Sequence, residues 1–275
     1  MTGPLLLPPS FAGIDATVLD DGGAVAFTLS NPLAGIAQAV AAAVAHPVLL
    51  HFRAARPIGT AALVIGGGGY TQLMIGREGI VVARWLNALG IDAHVLVHRF
   101  PDARTGPMAA LQDVRRAMEM LRAGECPRVG VVGLSSGGHL GACLLAETGP
   151  RRPDFAVVGY APISTNAAGF TVVPDKPPLE PPEKQAFYDA MRPDAQLAHA
   201  PPPAFIVYSA NDPVVPVANA WRLAAAIADK GGHPEMHVFA DAPHGFALDT
   251  EGLPVERWPD LCVAWLRQIG ALDRV

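Results

Sequence analysis

The sequence contains little charge and few cysteines. Charged residues make up 16% of the 275 residues and hydrophobic residues 51%, a balance typical of a folded domain rather than a disordered chain. The three cysteines, Cys126, Cys143 and Cys262, are scattered and odd in number. This spacing predicts neither a disulfide framework nor a pair of metal ligands, and we expect no metal or other cofactor. Reduced thiols in a cytoplasmic protein are the expected state.

The sequence also lacks an excess of basic residues, a signal peptide and a membrane span. Its formal net charge of −5 offers no basic surface to a nucleic acid. The N-terminus lacks the basic start and sustained apolar core of a signal peptide. No stretch reaches the roughly 18 apolar residues that a membrane-spanning helix requires. We therefore expect neither nucleic acid nor membrane as a partner, but a small or uncharged molecule.

From residue 61 onward, short apolar runs alternate with longer helical patterns. The runs contain few polar residues, as is typical of strands buried on both faces of a parallel sheet. The alternation predicts an α/β fold, with a mostly parallel central sheet and helices on both faces. We expect one such domain, residues 61–275, with residues 1–60 packed on it. The predicted strands are 61–65, 93–98, 128–134, 155–160, 204–208 and 236–239.

Apolar residues recur at helical spacing between the predicted strands. Two of these helices end at Gly90 and Gly124, which suit the C-terminal cap of a helix. The alanine- and valine-rich residues 35–45 also predict a helix packed on the body of the domain. Nearer the N-terminus, residues 17–29 and 48–52 are predicted to supply antiparallel edge strands. Further helices are predicted to begin at Ser136 and to span residues 217–229 and 255–270.

Residues 162–203 interrupt this alternation. The stretch is rich in proline and contains one short helical pattern, near residues 183–191. A long irregular connection in a compact α/β domain is more often a cap or lid than a plain loop, because most connections are short. A surface excursion with no part in catalysis is the alternative. The sequence leaves both interpretations open.

A serine lies between two glycines directly after the predicted strand 128–134. The segment GLSSG, with Ser135 at its centre, matches the nucleophile elbow, in which a tight turn exposes the serine hydroxyl. Gly133 and Gly137 would avoid side-chain collisions where the strand reverses into a helix. The pattern alone is a modest signal, because many such strings are ordinary turns. Other residues must support it.

An acid and a histidine follow in the order that a serine nucleophile requires. A serine hydroxyl needs a base to take its proton and a carboxylate to orient that base. Asp212 comes just after the fifth predicted strand, and His244 lies in the loop after the last one. Taken alone, Asp212 could be a turn residue and His244 a structural histidine. Together with Ser135 they follow the chain order of α/β hydrolases. Asp241 and Asp249 are less favoured acids, because neither follows the end of strand 204–208, the strand before the one that leads to His244.

A run of four glycines, residues 66–69, follows the first predicted parallel strand. Glycines let backbone amides approach a substrate, and such donors stabilise the negative charge that develops in acyl transfer. The run therefore predicts one half of an oxyanion hole, and the Ser136 amide would supply the other half. A phosphate-binding loop is the alternative. It is disfavoured because the Gly-Lys-Ser/Thr ending and the G-x-G-x-x-G spacing are absent.

Other candidate residues lie near these motifs. Tyr70, beside the glycine run, and Phe246, close to the candidate base, are candidates for contacting the substrate. Tyr70 could instead merely cover the loop. His139 lies one turn into the predicted elbow helix, where a structural role is favoured over a role in the site. His94 and His98 share one face of a predicted strand, but no carboxylate or cysteine cluster accompanies them, so packing is favoured over metal binding.

Seven segments occur in the order and spacing of a known enzyme family, namely GGGGYTQL (66–73), REG (77–79), HRFP (98–101), QDVRRAMEMLR (112–122), GLSSGGHLGA (133–142), NDPVVP (211–216) and APHGF (242–246). With them, residues 61–269 resemble the α/β-hydrolase-fold serine esterases. Within that fold the sequence is similar to the acetyl-xylan-esterase-like and hormone-sensitive-lipase-like carboxylesterases. Gly66 stands where relatives often carry histidine or proline, and His98 where a tyrosine is usual. The first 60 residues match these esterases poorly.

The resemblance implies an α/β-hydrolase fold with a short cap or lid insertion. It implies Ser135 as nucleophile, Asp212 as acid and His244 as base. It also implies Gly68 and Gly69, with the Ser136 amide, as oxyanion donors.

From these residues and this resemblance we expect a metal-independent serine esterase with a small pocket. The expected partner is a small-molecule ester with a short acyl group, for example an acetyl group on a carbohydrate. A serine peptidase or amidase, or an acyltransferase, could use the same three residues. A non-catalytic binding protein of the same fold is the alternative of another class. For residues 1–60, packing on the body and subunit contact in a homo-oligomer are both open.

Overall fold

A central β-sheet with helices around it forms the core of the protein. The computed structural model describes residues 7–20, 25–124, 126–198 and 200–273. The strands are β1 (Ala16–Val18), β2 (Phe27–Leu29), β3 (Ala41–Val44), β4 (Val48–Phe52), β5 (Thr60–Ile65), β6 (Asp92–Val97), β7 (Arg128–Leu134), β8 (Ala156–Gly159), β9 (Ala204–Ser209) and β10 (Glu235–Phe239). The α-helices are α1 (Val81–Ala88), α2 (Ala109–Arg122), α3 (Ser136–Cys143), α4 (Pro182–Ala190), α5 (Pro193–Gln196), α6 (Ala218–Asp229) and α7 (Trp258–Gln268).

Eight of these strands form one mostly parallel sheet, in the order β1-β4-β6-β5-β7-β8-β9-β10. The strands from β6 to β10 in this order pair in parallel, whereas β1 and β4 add antiparallel pairs at one edge. Every residue of β5 and β9 is buried, so helices must cover both faces at the centre. The predicted α/β fold is confirmed, and each predicted parallel strand lies within one residue of its observed bounds.

Two groups of helices pack against the sheet. Helices α1 and α7 meet through Trp85 and Trp258, whose ring centroids lie 5.7 Å apart. Helix α2 contacts α3, which in turn contacts β7 and β8. In the chain that the structure describes, no helix is long and apolar enough to cross a membrane.

Residues 35–45 do not form the predicted helix, and that prediction is wrong. They contain one 3₁₀ turn, Ile36–Gln38, followed by β3, which pairs with β2 in a separate antiparallel ribbon. The Ala41 amide donates to the Leu73 carbonyl at 2.9 Å, and the Leu73 amide returns a bond of 3.0 Å. Pairing with a distant segment therefore overrides the helical preference of alanine.

The N-terminal strands extend the edge of the main sheet. Strand β4 occupies the predicted residues 48–52 and pairs antiparallel with β6, while β1 pairs with β4 on its outer side. Strand β4 is therefore interior to the sheet and β1 is the edge. Of the predicted segment 17–29, residues 21–24 lie outside the described part, as do residues 1–6 of the N-terminus.

The proline-rich segment 162–203 packs on the helix that follows Ser135. It contains α4, within one residue of its predicted position, and the short α5. Phe187 and Tyr188 of α4 are buried against His139 of α3, with ring centroids 5.5 and 4.7 Å from that imidazole. The segment is thus joined to the body of the domain through an aromatic cluster.

Candidate active site

Ser135 lies in the turn between β7 and α3, at the carboxyl end of a central strand. Its φ of 53° and ψ of −126° lie outside the regions that most residues adopt. A Cβ atom at Gly133 would collide with the Gly137 carbonyl, and one at Gly137 with the Ile65 carbonyl. The turn has the geometry that the GLSSG pattern predicts, because both flanking positions require glycine.

The structure brings Ser135 together with His244 and Asp212. Oγ of Ser135 lies 3.0 Å from Nε2 of His244, and Nδ1 of His244 lies 2.7 Å from Oδ2 of Asp212. The other carboxylate oxygen of Asp212 accepts the amides of Val214 and Val215 at 2.8 and 2.9 Å. These bonds hold the buried carboxylate in place, so that it fixes the proton of His244 on Nδ1 and leaves Nε2 to accept one from the serine.

The two competing carboxylates have other partners. Asp241 accepts a 2.6 Å hydrogen bond from the side-chain amide of Asn211. Asp249 accepts three hydrogen bonds of 2.6 to 2.9 Å from the Arg77 guanidinium. Of these acids, the structure pairs Asp212 with His244.

The glycine run after β5 lies beside the serine, and Gly68 and Gly69 line the same cavity as Ser135 and Ser136. The Gly69 amide donates a 2.9 Å hydrogen bond to the side-chain oxygen of Ser136. The amides of Gly68 and Ser136 have no hydrogen-bond partner among the described residues. Two of the three predicted donors are thus available to a substrate oxygen, and the third is shared with the Ser136 hydroxyl.

A buried glutamate, Glu78, lies in the same region; it belongs to the REG segment but is not among the predicted site residues. It belongs to a π-helical segment, Ile75–Ile80, that leads into α1. Its Oε2 accepts the Gly67 amide at 2.6 Å, and its Oε1 accepts the Tyr160 hydroxyl at 3.0 Å. The Tyr160 oxygen in turn accepts the Ala247 amide at 3.2 Å. One carboxyl therefore links the glycine loop to the segment after β8 and to the loop that carries the candidate base.

The protonation of Glu78 is shifted by its surroundings. Burial raises the pKa of this carboxyl above its usual value, against the lowering effect of the hydrogen bonds from Gly67 and Tyr160. His244 also lowers the pKa of Glu78, by electrostatic attraction. The REG segment, residues 77–79, which is one of the segments that carry the family resemblance, is the sequence signal that could have pointed to it.

The N-terminal segment supports the Glu78 helix from outside. The Gly76 amide donates to the Ala39 carbonyl at 2.9 Å. A Cβ at Gly76 would lie 2.5 Å from the backbone of Ala37, so the two segments approach too closely for a side chain. Residues before β4 thus pack directly behind the site.

Tyr70 and Phe246, both predicted to contact the substrate, do not line the cavity. Tyr70 is 1% exposed, and its hydroxyl lies 2.9 Å from the Ser136 carbonyl oxygen and 2.9 Å from Nδ1 of His139. Phe246 is fully buried, with its ring 4.5 Å from that of Tyr160. Both side chains belong to the hydrophobic core, and Tyr70 has a positive φ of 61°.

The other histidines considered in the sequence, His139, His94 and His98, have structural contacts. Nε2 of His139 donates to the Met191 carbonyl at 2.9 Å, and burial lowers the pKa of His139 to about 4. The rings of His94 and His51 share a 2.7 Å hydrogen bond between their Nδ1 atoms, and burial also lowers the pKa of His94 to about 4. His98 is buried, with Nδ1 2.8 Å from the Arg99 carbonyl. These contacts favour packing over ligation of a metal.

A cavity of about 510 Å³ opens above Ser135. A volume of this size accommodates a small ester. The glycine loop, the π-helical segment, the segment 162–203 and the loops after β9 and β10 contribute its walls. The lining residues are Gly68, Gly69, Gln72, Met74, Arg77, Glu78, Ser135, Ser136, Pro162, Asn166, Lys176, Leu179, Lys184, Tyr188, Val214, Val215, His244 and Gly245.

The family model of the prolyl oligopeptidase family matches residues 109–268, more than half of the chain. The chain belongs to the prolyl oligopeptidase family. The matched region contains Ser135, Asp212 and His244, whereas the glycine loop and Glu78 precede it.

Two curated proteins share sequence with this prolyl oligopeptidase family member. An acetylxylan esterase of Xylanibacter ruminicola is 28% identical over 212 residues, which cover 70% of this chain and 42% of that protein. An endo-1,4-beta-xylanase B of Butyrivibrio fibrisolvens is 26% identical over 212 residues, covering 69% of this chain and 33% of that protein. The chain therefore spans less than half of the length of these relatives.

Solved structures share the fold of this family member. An acetyl ester-xyloside bifunctional hydrolase from Caldicellulosiruptor lactoaceticus is 24% identical and superposes with a TM-score of 0.72, covering 98% of this chain and 100% of that one. The carboxylesterase Cest-2923 from Lactobacillus plantarum is 20% identical, with a TM-score of 0.69, and covers 95% of this chain and 99% of that one. The expected α/β-hydrolase fold is confirmed.

Proposed function

We propose that the protein is a serine ester hydrolase that acts on short-chain carboxylic esters, acetyl esters above all. The observation that carries the proposal is the hydrogen-bonded chain from Ser135 through His244 to Asp212 at the floor of a small cavity. Family membership and the acetylxylan esterase relative support it. That relative, with the bifunctional acetyl ester hydrolase of the same fold, favours acetylated carbohydrates as the substrate class.

Ser135 forms the acyl-enzyme in the first half-reaction. Its Oγ attacks the ester carbonyl carbon while Nε2 of His244 takes the hydroxyl proton. The amides of Gly68 and Ser136 stabilise the oxyanion, and Gly69 joins them when its amide turns from the Ser136 hydroxyl. The bond to the alcohol oxygen then breaks as the imidazolium of His244 gives its proton to that oxygen.

Water releases the acid in the second half-reaction. His244 takes a proton from water as the water oxygen attacks the acyl carbon, and the bond between that carbon and Oγ of Ser135 then breaks. The imidazolium returns its proton to Oγ, and Asp212 stabilises the imidazolium in both halves. The three side chains and one water account for every bond and proton, so no cofactor enters the scheme.

Hydrolysis of 4-nitrophenyl acetate tests the proposal. We expect wild-type turnover, and a loss of about 10⁴-fold or more in kcat for Ser135→Ala. A fluorophosphonate probe should label the wild type and fail to label this variant. Ser30→Ala, which changes an exposed serine, is the matched control and should behave as the wild type. Undiminished turnover by Ser135→Ala would overturn the assignment.

The same experiment separates the alternatives. The family contains peptidases by name, so a serine peptidase or amidase is the nearest competing function. We expect an acyl ester to be turned over faster than the anilide of the same acid, and the reverse order would favour the amidase. Transfer of the acyl group to an added alcohol in place of water would indicate an acyltransferase. Absence of both turnover and labelling would indicate a binding protein.

The same proposal places the protein in the cytoplasm, with a small-molecule ester as its substrate and neither nucleic acid nor membrane as a partner. Cys143 and Cys262 are buried, and burial raises the pKa of both thiols, which suits unreactive reduced cysteines. Cell fractionation tests the location. Light scattering tests whether the chain forms a homo-oligomer.

A further inference from the structure

Lysine is rare in this chain and concentrated at the cavity. The sequence contains three lysines, Lys176, Lys184 and Lys230. Lys176 and Lys184 line the cavity above Ser135, and both belong to the segment 162–203. Lys230 is exposed at the end of α6. The other basic side chains with permanent charge are arginines, and seven of those in the described part of the chain pair with carboxylates.

The two cavity lysines lack counter-ions. Neither ammonium forms an ion pair with a carboxylate of the described chain, and Lys176 donates only to the side-chain oxygen of Asn166. Burial lowers the pKa of both lysines, and the charge of Lys176 further lowers the pKa of Lys184. Partly desolvated cations that repel each other in one cavity are unfavourable unless a negative charge joins them.

The other charged groups of the cavity wall are already paired. The Arg77 guanidinium is held by the carboxylate of Asp249 through three hydrogen bonds. Both oxygens of Glu78 accept hydrogen bonds from the protein, from Gly67 and Tyr160. Neither group pairs with the lysines. Three basic side chains, Lys176, Lys184 and Arg77, line the cavity against one acidic side chain, Glu78, in a protein of net charge −5.

Lys184 lies next to the oxyanion loop. A Cβ atom placed on Gly69 would be 3.9 Å from the Lys184 ammonium nitrogen. The carbonyl of a bound ester lies against this loop in the proposed reaction. A negative group that reaches Lys184 must therefore be close to the scissile bond, either on the acid or on the alcohol part of the ester.

We propose that Lys176 and Lys184 form a subsite for a carboxylate carried by the substrate. The inference rests on the proposed ester hydrolysis and deepens it, by naming esters with a carboxylate near the scissile carbonyl as the preferred class. A carboxylate supplies the missing negative charge and accepts charge-assisted hydrogen bonds from both ammonium groups. A neutral ester of the same size forms no such charge-assisted hydrogen bonds.

Pairs of matched esters test the subsite. On the acid side, 4-nitrophenyl hydrogen succinate is compared with 4-nitrophenyl butyrate. On the alcohol side, an acetylated methyl glucosiduronate is compared with the acetylated methyl glucoside. We expect the anionic ester to have the higher kcat/KM in at least one pair, by about tenfold, and the preferred pair identifies which part carries the carboxylate. The preference should shrink as salt is added.

Lysine variants assign the preference to these residues. Lys184→Met should lower the anionic-to-neutral ratio of kcat/KM by about threefold, and the double variant with Lys176→Met should abolish the preference. Lys230→Met is the matched control and should leave the ratio unchanged. If the variants fail to fold, inhibition of the wild type tests the subsite instead. Succinate should competitively inhibit hydrolysis of 4-nitrophenyl butyrate at concentrations where the neutral butyramide does not.

The outcomes separate the two proposals. If Ser135-dependent hydrolysis of neutral esters is absent, the proposed function has failed. If neutral esters are hydrolysed and the wild type shows no preference in either pair, or the lysine variants retain it, the subsite is refuted and ester hydrolysis stands.

Discussion

The Gly67 backbone amide donates a 2.6 Å hydrogen bond to Oε2 of Glu78. Through this bond, the loop that supplies the candidate oxyanion donors is attached to a buried carboxyl rather than to water. The other oxygen of Glu78 holds Tyr160, whose hydroxyl accepts the amide of Ala247. The position of Gly68 relative to Ser135 therefore depends on a side chain that does not take part in the proposed proton transfers.

Glu78→Gln is predicted to lower kcat while leaving KM largely unchanged. The amide keeps the size of the side chain but presents one acceptor to two donors, so either Gly67 or Tyr160 loses its bond. A displaced oxyanion donor costs about 10²-fold in kcat, and steady-state kinetics on 4-nitrophenyl acetate measure it. Glu251→Gln, at an exposed position, is the control. A variant with wild-type kcat would show that Glu78 has no positioning role.

The same variant is predicted to change how stability depends on pH. Because the folded-state pKa of Glu78 is raised, the folded protein binds a proton that the unfolded chain has already released. The wild type therefore loses stability relative to Glu78→Gln as pH rises from about the unfolded pKa of 4.5 to the raised folded pKa, with a slope of at most about 1.4 kcal/mol per pH unit. Above that pH range, the difference in unfolding free energy between the wild type and Glu78→Gln is constant. Urea unfolding of both proteins between pH 4 and pH 8 measures it, and a difference that grows in favour of the wild type would contradict the assignment.

Asp212→Asn is predicted to lower kcat by about 10³- to 10⁴-fold, because an amide no longer holds the His244 proton on Nδ1. The side-chain oxygen of asparagine can still accept the amides of Val214 and Val215, so the fold should persist, as circular dichroism would show. Asp241→Asn provides the matched comparison, and its kcat should be close to that of the wild type. Equal losses in the two variants would mean that the acid has been assigned to the wrong residue.

Tyr70→Phe is predicted to affect stability more than substrate choice. The change removes a buried hydroxyl that lies 2.9 Å from the Ser136 carbonyl and from Nδ1 of His139, and such a loss costs about 1 to 3 kcal/mol of unfolding free energy. Denaturant unfolding measures it. The order of kcat/KM across acetyl, propionyl and butyryl esters should stay the same, since the ring does not line the cavity. A changed order would restore Tyr70 as a substrate contact.

The sequence was sufficient to predict the sheet and the three residues of the candidate triad. Ser135, Asp212 and His244 each follow an apolar run, and parallel strands with the same direction end at one edge of a sheet. Chain order and strand direction therefore bring them together without knowledge of any side-chain contact. Their catalytic roles stay predictions until the variants above are measured.

The sequence was not sufficient where a contact joins segments that are distant along the chain. Glu78 meets Tyr160 across 82 residues, and no local pattern contains that pairing. Residues 35–45 were assigned to a helix because alanine suits one, whereas their strand depends on Leu73 in another loop. The position of Tyr70 beside the glycines predicts a place in the pocket, but its hydroxyl contacts Ser136 and His139, which lie 66 and 69 residues further along the chain.

The segment 162–203 is fastened to α3, the helix that begins directly after Ser135. His139 of this helix donates to the Met191 carbonyl, and the rings of Phe187 and Tyr188 pack around the same imidazole. The cavity wall is therefore preorganised, and an arriving substrate does not have to order this part of the chain. Ordering of this segment then adds no entropic cost to binding, and we expect the remaining cost to grow with the number of rotatable bonds in the acyl chain.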